Sequence, residues 1–178
     1  MTSHRLSGRS EAGFTMIELT VVTVILGVLL ALAISAVGRA RLAGNETSAI
    51  GSLRTINNAQ FTYAVECGSG NYATSLVVLA TKPPGHEHPF LNVDLGSEAA
   101  PTRSGYTMTI RPGNGGTPAV NDCLGMATQS RYYATATPET PGTTGNRAFA
   151  TNQAGTIWQD NGGAPPAEPF AAPATPIQ

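Results

Sequence analysis

Hydrophobic and polar residues divide the 178-residue chain into two parts with different patterns. A nearly uninterrupted apolar run extends from Leu19 to Val37, with Glu18 as an isolated charge at its start. A helix of about 20 apolar residues is about 30 Å long, which matches the hydrocarbon core of a bilayer. The run therefore predicts a membrane-spanning helix. The carboxylate beside it needs a partner, because an unpaired charge in a membrane segment is costly.

After Arg39 and Arg41, which mark the predicted membrane exit, the apolar positions narrow to a stripe. Its members recur every three or four residues: Ile50, Leu53, Ile56, Gln60, Tyr63, Ala64 and Cys67. This spacing is that of one face of a helix. We therefore expect one helix from Phe14 to about Glu66, hydrophobic all round in its first half and amphipathic in its second. The segment Gly68-Ser69-Gly70 is expected to end it.

The rest of the chain predicts an α+β fold, in which the long N-terminal helix packs on a small antiparallel β-sheet. A short helix or one buried turn is expected at 74–79, followed by a loop at 82–101 that is rich in proline and polar residues. A predicted hairpin and two other β-rich segments place strands at 106–110, 131–137, 147–151 and 156–159. The tail from Asn161 is rich in proline and alanine and is expected to be disordered or thinly packed.

The start of the apolar run carries the motif Gly13-Phe14-Thr15-Met16-Ile17-Glu18, after a short basic leader. A secretory signal has its apolar core before the cleavage site, whereas this apolar run follows the motif. The motif resembles the type III signal sequence of type IV pilins and their pseudopilin relatives. The resemblance implies that a membrane peptidase cuts after Gly13 and methylates the new amine of Phe14. It also implies that Glu18 guides methylation and filament assembly.

The resemblance further implies a domain organisation and a set of partners. The expected parts are a cleaved leader, a transmembrane and filament-core helix, the amphipathic half of the same helix, a globular pilin head and a Pro/Ala-rich tail, at residues 1–13, 14–38, 39–67, 68–160 and 161–178. The implied partners are the prepilin peptidase/methyltransferase, other copies of the chain, minor pilins and an inner-membrane assembly platform. Before assembly the chain would cross the inner membrane once with its head in the periplasm. After assembly it would belong to an extracellular pilus or a periplasmic pseudopilus.

The chain has two cysteines, Cys67 at the end of the helical stripe and Cys123 between the predicted strands. In a domain outside the inner membrane, such cysteines are more often paired than free. A disulfide between them would close a loop of about 60 residues and stabilise the fold by about 4 kcal/mol through loop entropy. The alternative is two separately buried thiols.

Charged residues are few, at 12%, with 10 basic and 11 acidic residues. This balance lacks the basic excess of a nucleic-acid-binding protein.

The candidate sites for metal binding and modification are few. The segment His86-Glu87-His88 lies among prolines and is interpreted as a solvated loop instead of a metal site. Asp160 lacks the clustered carboxylates that calcium prefers. The segment Asn45-Glu46-Thr47 fits a glycosylation sequon but falls within the predicted helix. Because no nucleophile, base and orienting acid occur together, we expect no enzymatic activity, cofactor or metal.

Three hypotheses about function follow from these patterns. The first is a structural subunit of a type IV pilus or related filament, assembled by bundling of helices drawn from the inner membrane. The second is a pseudopilin of a type II secretion system, whose short periplasmic filament moves exported proteins outward. The third is a membrane-anchored periplasmic domain that does not polymerise.

Overall fold

A computed structural model describes residues 13–177 and, within this range, every side chain except those of residues 34 and 35. Of the predicted leader, residues 1–13, the structure describes only Gly13. The chain divides into two compact units, one ending at Arg39 and the other beginning at Ala40. Helix α1, Met16–Glu66, supplies its first part to one unit and its second part to the other.

The described residues of the first unit are 13–15 and the apolar part of α1. Large hydrophobic side chains are exposed all along it, at Phe14, Met16, Ile17, Leu19, Val21, Val22, Val24, Ile25, Leu26, Val28, Leu29, Leu30, Leu32 and Val37. An 18-residue window of the helix reaches a mean hydropathy of 2.7, and none of that window is buried. Among the described residues, this is the one helix long and apolar enough to cross a membrane.

The second part of α1 supplies one side of the core of the second unit. Leu53, Ile56 and Tyr63 have no exposed surface, and all three belong to the predicted stripe. The opposite face of the helix is exposed and carries polar residues such as Arg54 and Asn58. The predicted amphipathic character of this part of α1 is therefore confirmed.

The second unit contains two antiparallel sheets within its described residues. The strands are β1 Tyr72–Ala73, β2 Thr102–Arg103, β3 Tyr106–Pro112, β4 Pro118–Ala119, β5 Thr128–Gln129, β6 Tyr132–Pro138, β7 Ala148–Asn152, β8 Trp158–Asp160 and β9 Thr175–Pro176. The larger sheet has the strand order β2-β3-β6-β7-β8-β9, and the smaller sheet has the order β1-β5-β4. This arrangement confirms the predicted α+β fold, with β7 and β8 as the predicted hairpin.

Strands β3 and β6 are neighbours in the larger sheet and pair along their full length. One face of this pair carries Met108 and Ala134, which belong to the same buried cluster as the stripe of α1. The other face carries Thr109 and Thr135, whose hydroxyl oxygens lie 2.7 Å apart across the two strands. The alternation in the sequence is thus the alternation of these two faces.

Two short helices lie between α1 and the larger sheet in the sequence. Helix α2, Leu76–Ala80, begins after Ser75, whose hydroxyl accepts a hydrogen bond from the Val78 N–H. The predicted helix at 74–79 is therefore confirmed. The predicted loop at 82–101 is wrong at one place, where α3, Val93–Gly96, forms a single turn. Burial of Leu95 explains this turn, because the loop must place an apolar side chain in the core.

Most of the described residues from Asn161 onward are exposed, as a thinly packed tail would be, but part of the tail forms a strand and covers the sheet. Strand β9 pairs with β8 and extends the larger sheet by one strand. The outer face of the sheet carries Tyr133, which is 1% exposed, and its hydroxyl donates to the Pro166 carbonyl. The ring of Phe170 stacks on it at 6.2 Å. A proline-rich segment has few N–H groups, but its carbonyls and apolar rings are sufficient to cover this face.

The C-terminal end of α1 is held by contacts with the loop that follows β4. A disulfide joins Cys67 to Cys123, and the Cys123 N–H donates to the Cys67 carbonyl at 3.0 Å. One turn earlier, the Tyr63 hydroxyl donates to Asp122 Oδ2 at 2.6 Å. Burial raises the pKa of Tyr63, as does its hydrogen bond to the Asp122 carboxylate. The end of the helix is therefore tied to this loop both covalently and by a buried hydrogen bond.

Gln60 is the polar member of the predicted stripe and is fully buried. Its amide oxygen accepts from the Ala73 N–H at 2.9 Å, and its amide nitrogen donates to the Ala73 carbonyl at 3.0 Å. Gln129 donates to the same carbonyl at 3.1 Å. The Gln60 amide therefore satisfies the backbone N–H and carbonyl of Ala73, as a neighbouring strand would, and holds β1 against α1.

Candidate processing and assembly site

Helix α1 begins with a capping box formed by Thr15 and Glu18. Thr15 precedes the first helical residue, and its Oγ1 accepts a hydrogen bond from the Glu18 N–H at 3.3 Å. In return, the N–H and the hydroxyl of Thr15 donate to Glu18 Oε2, each at 3.5 Å. Such a box satisfies N–H groups of the first turn, and the helix dipole favours a carboxylate there. Glu18 therefore has a local structural role at the start of the helix.

Gly13 and Phe14 stand just before this helix. Both are outside regular secondary structure, and Phe14 is 80% exposed. A Cβ built on Gly13 would have no atom within 4 Å. The peptide bond between the two residues is thus accessible to another protein. Its hydrolysis would create an amine at Phe14, directly before the Thr15 cap and four residues before Glu18.

The hydroxyl groups of two threonines within the apolar run are satisfied inside the helix. Thr20 Oγ1 donates to the Met16 carbonyl at 2.8 Å, and Thr23 Oγ1 donates to the Thr20 carbonyl at 2.9 Å. A polar group without a hydrogen bond costs several kcal/mol in lipid. Because these hydroxyls donate locally, they do not oppose entry of the helix into lipid or into a bundle of apolar helices.

The candidate metal ligands have other contacts in the structure. The segment His86-Glu87-His88 lies between α2 and α3, and His86 Nδ1 is 3.5 Å from Glu66 Oε2 at the end of α1. Asp160 Oδ1 accepts from the Gly162 N–H at 2.6 Å. Among residues 13–177, no three His, Cys, Asp or Glu side chains are grouped as metal ligands would be.

The sequon at Asn45 occurs on α1, where the Asn45 amide donates to the Thr144 carbonyl at 2.9 Å. The residue after it, Glu46, forms an ion pair with Arg147 at 2.6 Å, and sequence reasoning missed this contact. No local signal predicts it, because the two residues are 101 positions apart. The Thr15 cap was also missed, but the pattern of a threonine followed three residues later by glutamate before an apolar run predicts it.

Comparison with family models identifies a known motif near the start of the chain. Residues 8–34 match the model described as the prokaryotic N-terminal methylation motif. No match to the chain was found among curated proteins or among solved structures. The chain thus carries the signal motif of type IV pilins and pseudopilins, and its long helix and antiparallel sheet form a pilin-like architecture. The motif indicates a structural protein, and the apolar helix that follows it indicates membrane anchoring before assembly.

Proposed function

We propose that this chain is a structural subunit of a type IV pilus or a closely related filament. The observation that carries the proposal is the position of the methylation motif at the start of a helix whose apolar side chains are exposed on all sides. An all-round apolar helix requires lipid or other helices as surroundings. A filament core made of identical helices provides these surroundings once the subunit leaves the membrane.

The proposed assembly starts with removal of residues 1–13 by a prepilin peptidase, which then methylates the amine of Phe14. Before assembly the processed chain remains in the inner membrane as a single-pass protein with residues 68–178 in the periplasm. An assembly platform then adds it to a bundle of other copies and minor pilins. In this bundle the Glu18 carboxylate meets the Phe14 amine of a neighbouring copy, because each charge would otherwise be buried without a partner.

The capping box allows the charge of Glu18 to be tested separately from its role in the helix. Glu18→Gln removes the charge but retains a side chain that completes a capping box. Glu18→Ala removes both, and Thr15→Ala removes the hydroxyl while leaving the charge. Loss of a cap costs about 1 kcal/mol, whereas breaking a buried ion pair costs about 3–5 kcal/mol.

We predict that both Glu18 variants accumulate in the inner membrane and yield few or no sheared surface filaments, while Thr15→Ala still assembles. The measurement is quantitative mass spectrometry of membrane and sheared fractions, from cells that lack the wild-type subunit and any other major pilin but keep the minor pilins. Normal filament yield from Glu18→Gln would contradict charge pairing as the determinant of assembly.

Cryo-electron microscopy of the wild-type filaments tests the proposed function of the chain as a filament subunit. Absence of surface fibres, together with loss of protein secretion on deletion, would favour the pseudopilin hypothesis instead.

A further inference from the structure

A cleft of about 340 Å³ opens on the outer face of the larger sheet, beside the turn that joins β7 to β8. It lies entirely within the second unit. Its walls combine aromatic rings, amides and one charge of each sign, from Trp158, Phe170, Arg131, Asn152, Gln153 and Glu168. This mixture is that of a ligand site, in which a few placed polar groups orient a molecule against an aromatic surface.

The aromatic wall is built by stacked rings. The rings of Trp158 and Phe170 lie 5.4 Å apart and nearly parallel, at 17°. Phe170 also stacks on the buried ring of Tyr133, so the wall is anchored in the outer face of the sheet. Trp158 is only partly buried, and its indole N–H has no hydrogen-bond partner among the described residues. The wall therefore offers an aromatic surface and a free donor together.

The polar wall is fixed in place by hydrogen bonds. Glu168 Oε1 accepts from the Asn152 amide at 2.6 Å, and Glu168 Oε2 accepts from the Asn114 N–H at 2.7 Å. Arg131 Nη1 donates to the Asn114 carbonyl at 3.1 Å. A carboxylate has four acceptor sites and a guanidinium has five donors, so both groups keep unused capacity. The exposed Gln153 amide has no hydrogen bond within residues 13–177 and adds a donor and an acceptor.

We propose that this cleft binds a neutral saccharide. Sugar hydroxyls both donate and accept, so they can use the donors of Arg131 and the acceptors of Glu168 at the same time. The C–H face of a sugar ring fits the electron-rich face of an indole. A purely apolar ligand would desolvate both charged groups without replacing their hydrogen bonds. An anionic ligand would be repelled by Glu168, and Arg131 only balances that charge.

Trp158 is the single tryptophan of the chain, so its fluorescence reports directly on the cleft. The full-length chain is purified in a detergent without a sugar headgroup and applied to an array of neutral oligosaccharides and their sialylated counterparts. Each retained glycan is then titrated while Trp158 emission is measured. We expect retention of at least one neutral glycan, with a saturable change in emission.

The variants separate the cleft from the rest of the surface. Trp158→Ala is expected to weaken glycan binding by at least about ten-fold, whereas Val65→Ala, which removes an exposed apolar side chain of α1 outside the cleft, leaves it unchanged. Gln153→Ala keeps the fluorescent reporter and is expected to weaken binding several-fold. Its matched control is Asn92→Ala, which removes an exposed amide outside the cleft. Circular dichroism and intact disulfide content establish that each variant is folded.

The binding measurements on the wild type and on the two cleft variants decide the proposal. Loss of binding in Trp158→Ala or in Gln153→Ala, with both controls unaffected, supports it. Gln153→Ala gives the answer by itself if Trp158→Ala does not fold. The proposal is overturned if no array glycan binds, if only sialylated glycans bind, or if every cleft variant that folds retains full affinity. None of these results depends on filament formation.

Discussion

Glu46 joins α1 to the start of β7 through one carboxylate. Its Oε1 accepts from the N–H groups of Asn146 and Arg147 at 2.9 and 3.2 Å, and its Oε2 accepts from the Arg147 guanidinium at 2.6 and 2.8 Å. Burial raises the pKa of Glu46, but the hydrogen bonds from Arg147 and from these backbone groups outweigh burial. The pKa therefore lies below its ordinary value of 4.5.

This lowered pKa makes the stability of the fold depend on pH. The unfolded chain binds the Glu46 proton more readily than the folded chain, so the stabilisation is complete above pH 4.5 and is lost as the pH falls through the folded-state pKa. We predict that Glu46→Gln lowers the free energy of unfolding at neutral pH by about 1.5–3 kcal/mol. The difference from wild type should shrink as the pH falls below 4.5.

Urea unfolding of the full-length chain in detergent, followed by circular dichroism at several pH values, measures this effect. Glu98→Gln is the matched control, because Glu98 is exposed and has no hydrogen bond among the described residues. Its stability should follow that of the wild type at every pH. A constant gap between Glu46→Gln and wild type across the acid range would contradict the role assigned to the Glu46 charge.

At the residue scale, the sequence predicts positions better than it predicts contacts. The spacing of Gln60 within the stripe places it correctly in the core, because helical periodicity alone determines which face a residue occupies. The partner of Gln60 is the backbone of Ala73, which has no sequence signal. The Glu46 contact depends on a residue 101 positions away. The Trp158 cleft likewise depends on Arg131 and Glu168, which only the folded sheet and tail bring together.

At the scale of elements, the disulfide links the end of α1 to the loop that follows β4. Cys67 and Cys123 are 56 positions apart, so the bridge restricts the unfolded chain by about 4 kcal/mol in the loop-entropy model. We predict that the double variant Cys67→Ala/Cys123→Ala loses about this free energy of unfolding. The Tyr63–Asp122 hydrogen bond still holds the same loop, so the variant should keep its secondary structure.

Urea unfolding under non-reducing conditions measures the loss, and peptide mapping of the wild type should yield the linked Cys67–Cys123 peptide. Wild type treated with a reductant is the internal control and should match the double variant. Quantitative labelling of both thiols in native exported protein would contradict the bridge. An unchanged unfolding midpoint in the double variant would contradict its contribution to stability.

The elements themselves differ in how far the sequence predicts them. Strands β3, β6 and β7 follow from β-rich patterns because each of them has buried positions, and β8 follows as the second strand of the hairpin. Strand β9 does not follow, because it contains a proline and lies in a segment whose composition is typical of disorder. It exists because the edge of β8 offers unpaired backbone groups, and the Ile177 N–H donates to the Ile157 carbonyl at 2.8 Å. Composition therefore underestimates a tail that the sheet itself orders.

At the scale of the whole molecule, the two units differ in what determines them. The first unit is a helix that satisfies its own backbone and threonine hydroxyls, so a local sequence pattern is sufficient to predict it. The second unit depends on pairings between distant strands and on a tail that covers the sheet. Its fold class was predictable, but its strand order and its cleft were not. The proposed role in filament assembly therefore rests on a pattern that the sequence itself contains, whereas the proposed saccharide cleft rests on the folded second unit.

The processing of the chain tests how the first unit enters its function. We predict that the mature protein begins at a methylated Phe14, because the Gly13–Phe14 bond is accessible and precedes the capped helix. Gly13→Ala should be cleaved more readily than Gly13→Leu, since the peptidase site must approach this backbone closely. Gly27→Leu is the matched control: it adds the same side chain within the apolar run, where a Cβ has no atom within 4 Å, and should be cleaved normally. Intact-mass and N-terminal peptide mass spectrometry of membrane and filament fractions distinguish these outcomes. A mature chain that still begins at Met1, or equal cleavage of Gly13→Leu and wild type, would show that the motif does not direct processing at this bond.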